Sequence, residues 1–165
     1  MSATRTLNVV TLSLILFLAG CLDSGENEEE ADENADSEIY QFSGRDAAGS
    51  MSEAGGDALV HIAMTQGYNI SWDALTVKIV VDGGASLTCD EGSYADATSE
   101  CVWSKDDDDV WSVSEEITIS EGSETDLCDG TNGGCEVEVS LHETGGGPGG
   151  EDIMWGVSTY ADASN

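Results

Sequence analysis

Positive charge is nearly missing from this chain. Its 165 residues hold 4 Lys and Arg against 34 Asp and Glu, a formal charge of −30. A field of that sign repels phosphate backbones and anionic head groups, which argues against nucleic acid or acidic lipid surfaces as partners. Histidine is as scarce. His61 and His142 stand in no H-E-x-x-H or other ligand spacing, so a histidine-built metal centre has no material. A G-x-S-x-G elbow is absent, and with it the usual serine-hydrolase signal. No long stretch keeps a helical period, and the one strongly apolar run is shorter than the roughly 20 residues a spanning helix needs.

That apolar run lies at the start. Arg5 precedes Leu7 to Leu18 (LNVVTLSLILFL), and Leu18-Ala19-Gly20-Cys21 follows. A cation, a short apolar run and small residues before a cut site mark an export signal over residues 1–20. The tetrapeptide ending in Cys21 resembles the lipobox of prokaryotic lipoproteins. The resemblance implies that Cys21 is lipidated, becomes the new N-terminus and anchors the chain on the extracytoplasmic face of the membrane. Small side chains give a peptidase access to the backbone, and sulfur provides the thioether.

Residues 21–56 read as an acidic tether. Between Asp23 and Glu38 there are nine carboxylates and no cation, interspersed with Ser, Asn, Gly and Ala. Such a segment buries too little apolar surface to offset its ordering entropy, so disorder is expected. Ile39, Tyr40 and Phe42 interrupt the polar run; docking on the domain is the alternative for them, and they are assigned to the tether. Cutting before Cys21 removes Arg5 from the formal charge of −30 and leaves −31, with Arg45, Lys78 and Lys105 as the remaining cations. In brine the Debye length falls to several ångströms or less and that self-repulsion is screened. The near absence of Lys therefore points to a marine or halophilic habitat.

Five cysteines are present. With Cys21 lipidated, Cys89, Cys101, Cys128 and Cys135 remain, an even number in an exported small domain, which reads as two disulfides. Local pairing, Cys89–Cys101 and Cys128–Cys135, closes short loops between strand-like runs. Each bond is expected to contribute roughly 2–3 kcal/mol through chain entropy. A four-cysteine zinc site would show short C-x-x-C pairs, and none occurs.

From Asp57 onward the period is two. Leu75, Val77, Ile79 and Val81 alternate with Thr76, Lys78 and Val80; Ile117 and Ile119 with Thr118 and Ser120; Val137, Val139 and Leu141 with Glu136, Glu138 and Ser140. Ile153, Trp155 and Val157 repeat the pattern, and Ala58 to Met64 is apolar apart from His61, as in a more central strand. Shorter strands are expected near Ser86–Cys89 and Cys101–Trp103. Gly-, Asp- and Ser-rich punctuation separates these runs. The fold expected over residues 57–165 is all-β, a small antiparallel immunoglobulin-like sandwich of six or seven strands, with Trp72, Trp103, Trp111 and Trp155 supplying much of the core. The Gly145–Gly150 run is read as a loop before the last strand, since no helix or lysine follows it to cradle phosphate.

The stretch ALVHIAMTQGYNISWDALTVKIVVDGG, from Ala58 to Gly84, resembles the soluble β-domain of archaeal type IV pilins and archaellins. Glu115 to Ser120 and Cys135 to His142 fit the same layout, so the likeness covers roughly residues 57–142. It is similar also to acidic lipoproteins of marine archaea. The resemblance implies a β-sandwich and a surface address. One departure matters: in those filament proteins the apolar segment follows the cut and packs in the filament core, whereas here the cut would discard it.

Two acidic loops are candidate calcium sites, because calcium takes six to eight oxygen ligands. One is Asp106, Asp107, Asp108 and Asp109; the other runs from Asp126 through Asp129 to Asn132. Neither has the D-x-[DN]-x-[DN]-G spacing, and a solvated acidic loop is the plainer reading, so no cofactor is assigned. Asn69-Ile70-Ser71 is a glycosylation sequon. His61 reads as a half-buried strand residue and His142 as a strand-end surface residue. Two functions stay open: a non-catalytic surface domain for interaction or adhesion, or a lipoprotein that captures a solute or cation such as calcium. A pilin-like filament component is a further alternative.

Overall fold

The computed structural model describes residues 40–163 apart from 94–97, 107 and 148. Cys21, the export segment 1–20, the tether as far as residue 39, and Asp107 lie outside the described residues. Among the described residues the chain is all-β. The strands are β1 (Gln41–Asp46), β2 (Ala58–Gln66), β3 (Ile70–Ser71), β4 (Leu75–Val81), β5 (Leu87–Glu91), β6 (Cys101–Ser104), β7 (Val110–Trp111), β8 (Glu116–Glu121), β9 (Gly134–Glu143) and β10 (Ile153–Asp162). A single 3-10 turn, Trp72–Ala74, joins β3 to β4.

Alternation decides which side chains turn inward. Leu75, Val77 and Ile79 of β4 are buried while Lys78 is exposed. Ile117 and Ile119 of β8 and Val137, Val139 and Leu141 of β9 are buried in the same way. The apolar run of β2 buries Leu59, Val60, Ile62 and Met64, and β2 has neighbours on both sides, β1 and β8.

Eight strands form one sheet in the order β1-β2-β8-β6-β5-β4-β9-β10, and β3 with β7 makes a separate two-stranded ribbon. All pairs are antiparallel except β5–β6, where Asp90 lies beside Val102 and Glu91 beside Trp103. The count exceeds the expected six or seven strands for a local reason. β3 and β7 are two residues each, too short to display a period, and β1 lies in the segment read as tether.

β1 is a correction to the expected tether, which was taken to run to residue 56. Its registry with β2 pairs Phe42 with Met64 and Asp46 with Val60. Tyr40 and Phe42, assigned to the tether, rest on Trp155 with ring centroids 4.7 and 5.4 Å away. Burying two rings outweighs the polar context that made the segment read as unstructured.

β1 also meets β10, so the two ends of the sheet come together and it wraps round on itself. Asp162 N donates to Asp46 Oδ1 at 2.8 Å. Gly44 is required there, since a Cβ at that position would lie 2.8 Å from Thr159 Cβ and 3.1 Å from Val157 Cγ1. A row of rings runs through the enclosed core. Trp155 and Trp111 flank Phe42, Trp111 stacks on Trp72 at 5.5 Å, and Trp72 tilts against Trp103 at 5.7 Å. All four tryptophans are buried, as the sequence led us to expect.

Candidate functional site

The cysteines pair as Cys89–Cys101 and Cys128–Cys135, with Cα separations of 4.6 and 5.9 Å. The local connectivity read from spacing is therefore the one present. The first bond has a place that spacing did not reveal. Cys89 and Cys101 each precede the residues paired in the parallel β5–β6 contact, so the disulfide clamps the one junction where the sheet is held by very few residues. The second bond ties the loop after β8 to the start of β9.

Beside the second disulfide stands a buried carboxylate. Glu121 has no solvent exposure. Its Oε1 accepts from Leu127 N and Cys128 N, both at 2.8 Å, and its Oε2 accepts from Asp57 N at 3.3 Å. One side chain thus holds the 121–128 loop and the entry to β2. Burial raises its pKa above the ordinary 4.5, the hydrogen bonds from Cys128, Leu127 and Asp57 pull the other way, and the Asp57 charge adds to the rise. Glu143 is the counterpart at the end of β9. It is also buried, its Oε2 has no hydrogen-bond partner, and burial alone raises its pKa above 4.5.

Both were overlooked in the sequence, yet a signal was there. The alternation Ile117, Ile119 continues to residue 121, and Val137, Val139, Leu141 continues to residue 143. Each strand thus ends by aiming a carboxyl inward.

The raised values have a consequence for pH. Between 4.5 and the raised folded value, the folded chain holds protons that the unfolded chain has released. Stability attributable to these groups must therefore rise as pH falls through that window. Glu143→Gln, which removes the charge without removing a hydrogen-bonded oxygen, is expected to raise the melting temperature at pH 7 and to flatten its rise toward pH 5. Thermal melts at constant ionic strength check both.

The acidic loops turn inward on their own structure. Asp108 Oδ1 accepts from Trp72 Nε1 at 2.9 Å, and Asp108 O accepts from Lys105 Nζ at 3.3 Å. Lys105 Nζ lies 5.2 Å over the Trp72 ring and 3.5 Å from Glu91 Oε1. The loop therefore caps the tryptophan row, while Asp106 and Asp109 face solvent. In the second loop Asp126 is exposed, and Asp129 Oδ1 accepts from Thr131 N at 2.8 Å and Thr131 Oγ1 at 2.7 Å. Those bonds lower the Asp129 pKa below its ordinary value and close the turn. Among the described residues no group of three or more His, Cys, Asp or Glu is placed to hold a metal ion.

A cleft of about 570 Å³ opens beside the first loop, between β5, β6 and β8. Lys105 is the one cation lining it, and it is already engaged by Glu91 and Asp108. The rest of its described lining is mostly polar, with Glu91, Asp106 and Asp108 beside Ser93, Ser104 and Ser120. His61 is half-buried with Nδ1 2.8 Å from Thr118 Oγ1, and His142 stands near the end of β9 with Nε2 3.5 Å from Asp152 Oδ2. Both sit as the sequence led us to expect. Burial and the nearby Arg45 guanidinium lower the His61 pKa against the opposing pull of Glu116 and Asp46.

With 25 of the chain's 34 acids and three cations from residue 40 onward, the domain should melt higher in KCl, levelling once repulsion is screened. A gain of about 1 kcal/mol, roughly 4–8 °C, is the expected scale. Calcium at matched ionic strength should add nothing further. A calcium-specific excess lost in Asp106→Asn or Asp129→Asn would instead make those loops a binding site by linkage.

No protein-family model matches the chain, and neither a curated protein nor a solved structure does.

Proposed function

We propose that this chain is an exported lipoprotein, anchored by lipid on Cys21, that presents an acidic β-domain at the cell surface for interaction or adhesion and catalyses no reaction. The observation that carries the reading is the use of cysteine. Leu18-Ala19-Gly20-Cys21 closes a leader of one cation and an apolar run. The four cysteines beyond it are all consumed in two disulfides, as in chains that mature in an oxidising compartment. With β1 beginning at Gln41, residues 22–39 are the whole connection between anchor and domain.

We take the wrapped sheet as two facing layers, β1-β2-β8-β6 and β5-β4-β9-β10, an immunoglobulin-sized sandwich joined at β5–β6. The short parallel contact at that junction supports this division. The likeness of residues 57–142 to pilin and archaellin domains supports a surface address but not filament assembly, because the apolar segment would be lost with the leader. The sequence supports the lack of catalysis, having no G-x-S-x-G elbow and no ligand-spaced histidines. Met154 and Tyr160 on β10, with Tyr68 and Val113, are the exposed large apolar side chains among the described residues that a partner would meet.

Mass spectrometry of the membrane fraction should find a lipid-modified Cys21 as the N-terminus. Cys21→Ser should release the chain from the membrane. A chain recovered from the medium with Cys21 unmodified would overturn the anchor.

A further inference from the structure

We infer that Asn69 is the acceptor of an N-linked glycan, an assignment that rests on the export reading above. The chain contains one Asn-x-Ser/Thr sequence, Asn69-Ile70-Ser71, and the fold displays it. It lies where β2 passes into β3. Asn69 and Ser71, the two residues that define the acceptor, are exposed. Ile70 between them is fully buried and pairs with Trp111 in the ribbon. The tripeptide is thus pinned at its centre, with both recognised side chains in solvent.

Two further features fit a sugar. Tyr68, immediately before the acceptor, is 70% exposed, the most exposed of the described large apolar side chains. Its ring meets Tyr40 edge-on at 6.4 Å and turns the rest of its surface to solvent. A pyranose has an apolar C–H face that stacks on such rings, so a glycan on Asn69 would cover surface the fold leaves bare. Ser71 precedes the 3-10 turn without capping it through its side chain, so its hydroxyl is not committed to the turn's first N–H groups.

The co-reactant is a lipid-phosphate-linked oligosaccharide. Asn69 Nδ2 forms the bond to the anomeric carbon. The bond from that carbon to the phosphate oxygen breaks, the lipid phosphate leaves with its electron pair, and the amide proton passes to a base of the transferase.

The test uses the full chain isolated from its own membranes, cut with a glutamyl endopeptidase because the chain has only 4 Lys and Arg. The peptide holding Asn69 should carry a sugar mass that is lost entirely in Asn69→Gln and in Ser71→Ala and kept in Ser71→Thr. These positions are exposed, so the variants should fold, which non-reducing mapping of both disulfides verifies. The Cys21 peptide is read in the same sample. Unmodified Asn69 in a chain whose Cys21 is lipidated overturns the glycan and leaves the anchor standing. Sugar on Asn69 with Cys21 bare upholds the glycan and removes the anchor. A cytoplasmic chain with neither modification removes both.

Discussion

Replacing Trp111 by Ala should remove about 3–5 kcal/mol of stability, the cost of deleting a large ring from a closed core. Trp111 has no solvent exposure and heads the fully buried side chains by size. It sits between Phe42 at 5.1 Å and Trp72 at 5.5 Å, so the hole would open in the middle of the ring row. Its Nε1 donates to Glu115 O at 2.9 Å, a bond the substitution deletes, leaving that oxygen with Met64 N alone at 3.2 Å. Trp111 is also half of β7, so the substitution loosens the ribbon with β3. Domains of this kind have only about 5–15 kcal/mol in hand, and the variant should be largely unfolded at modest denaturant. Trp111→Phe should retain more than half of the lost stability. Equilibrium urea unfolding with an unchanged m-value decides it. A loss under about 1 kcal/mol would mean that the ring row does not organise the core.

The second large effect concerns the β5–β6 junction. Cys89→Ala with Cys101→Ala should cost about 3–4 kcal/mol, and Cys128→Ala with Cys135→Ala about 2.5 kcal/mol. The sequence separations, 12 and 7, make the entropic terms nearly equal. Position separates them. The start of the 128–135 loop keeps two hydrogen bonds on the buried Glu121, from Leu127 N and Cys128 N, when its disulfide is gone. The parallel contact pairs only Asp90 with Val102 and Glu91 with Trp103, and beyond those pairs it keeps Gly92 N on Trp103 O at 2.9 Å and the solvent-screened Lys105–Glu91 pair at 3.5 Å. Alanine is the right replacement, since Cys89 and Cys101 are buried and a serine hydroxyl would need a partner. Comparing denaturation midpoints of the two double variants with the reduced parent checks the order. If the 128–135 pair proves the costlier, the junction is held by more than its disulfide.

Much of the fold was legible because a strand with one buried face writes its own pattern. The alternations of β4, β8 and β9 named their inward residues correctly, and the disulfide pairs followed from short separations between strand-like runs. The same rule, carried one step further, would have named Glu121 and Glu143. What it gives is the face of a residue, not its neighbour across the sheet. The hydrogen bonds that Glu121 accepts from Asp57 and Cys128 depend on two segments far apart in the chain, and no local pattern carries that information.

By itself the sequence determined the charge, the scarcity of histidine, the strand faces and the cysteine pairing, because each depends on composition or on residues close together in the chain. Only the tertiary structure decided that Tyr40 and Phe42 belong to the core and that β5 and β6 run parallel. It alone decided that Gly44 lets β1 close against β10 and that Asp108 serves Trp72. These are choices of partner between distant segments. They are made by which burial and hydrogen bonding leave least unsatisfied across the whole sheet, a quantity that no single segment contains.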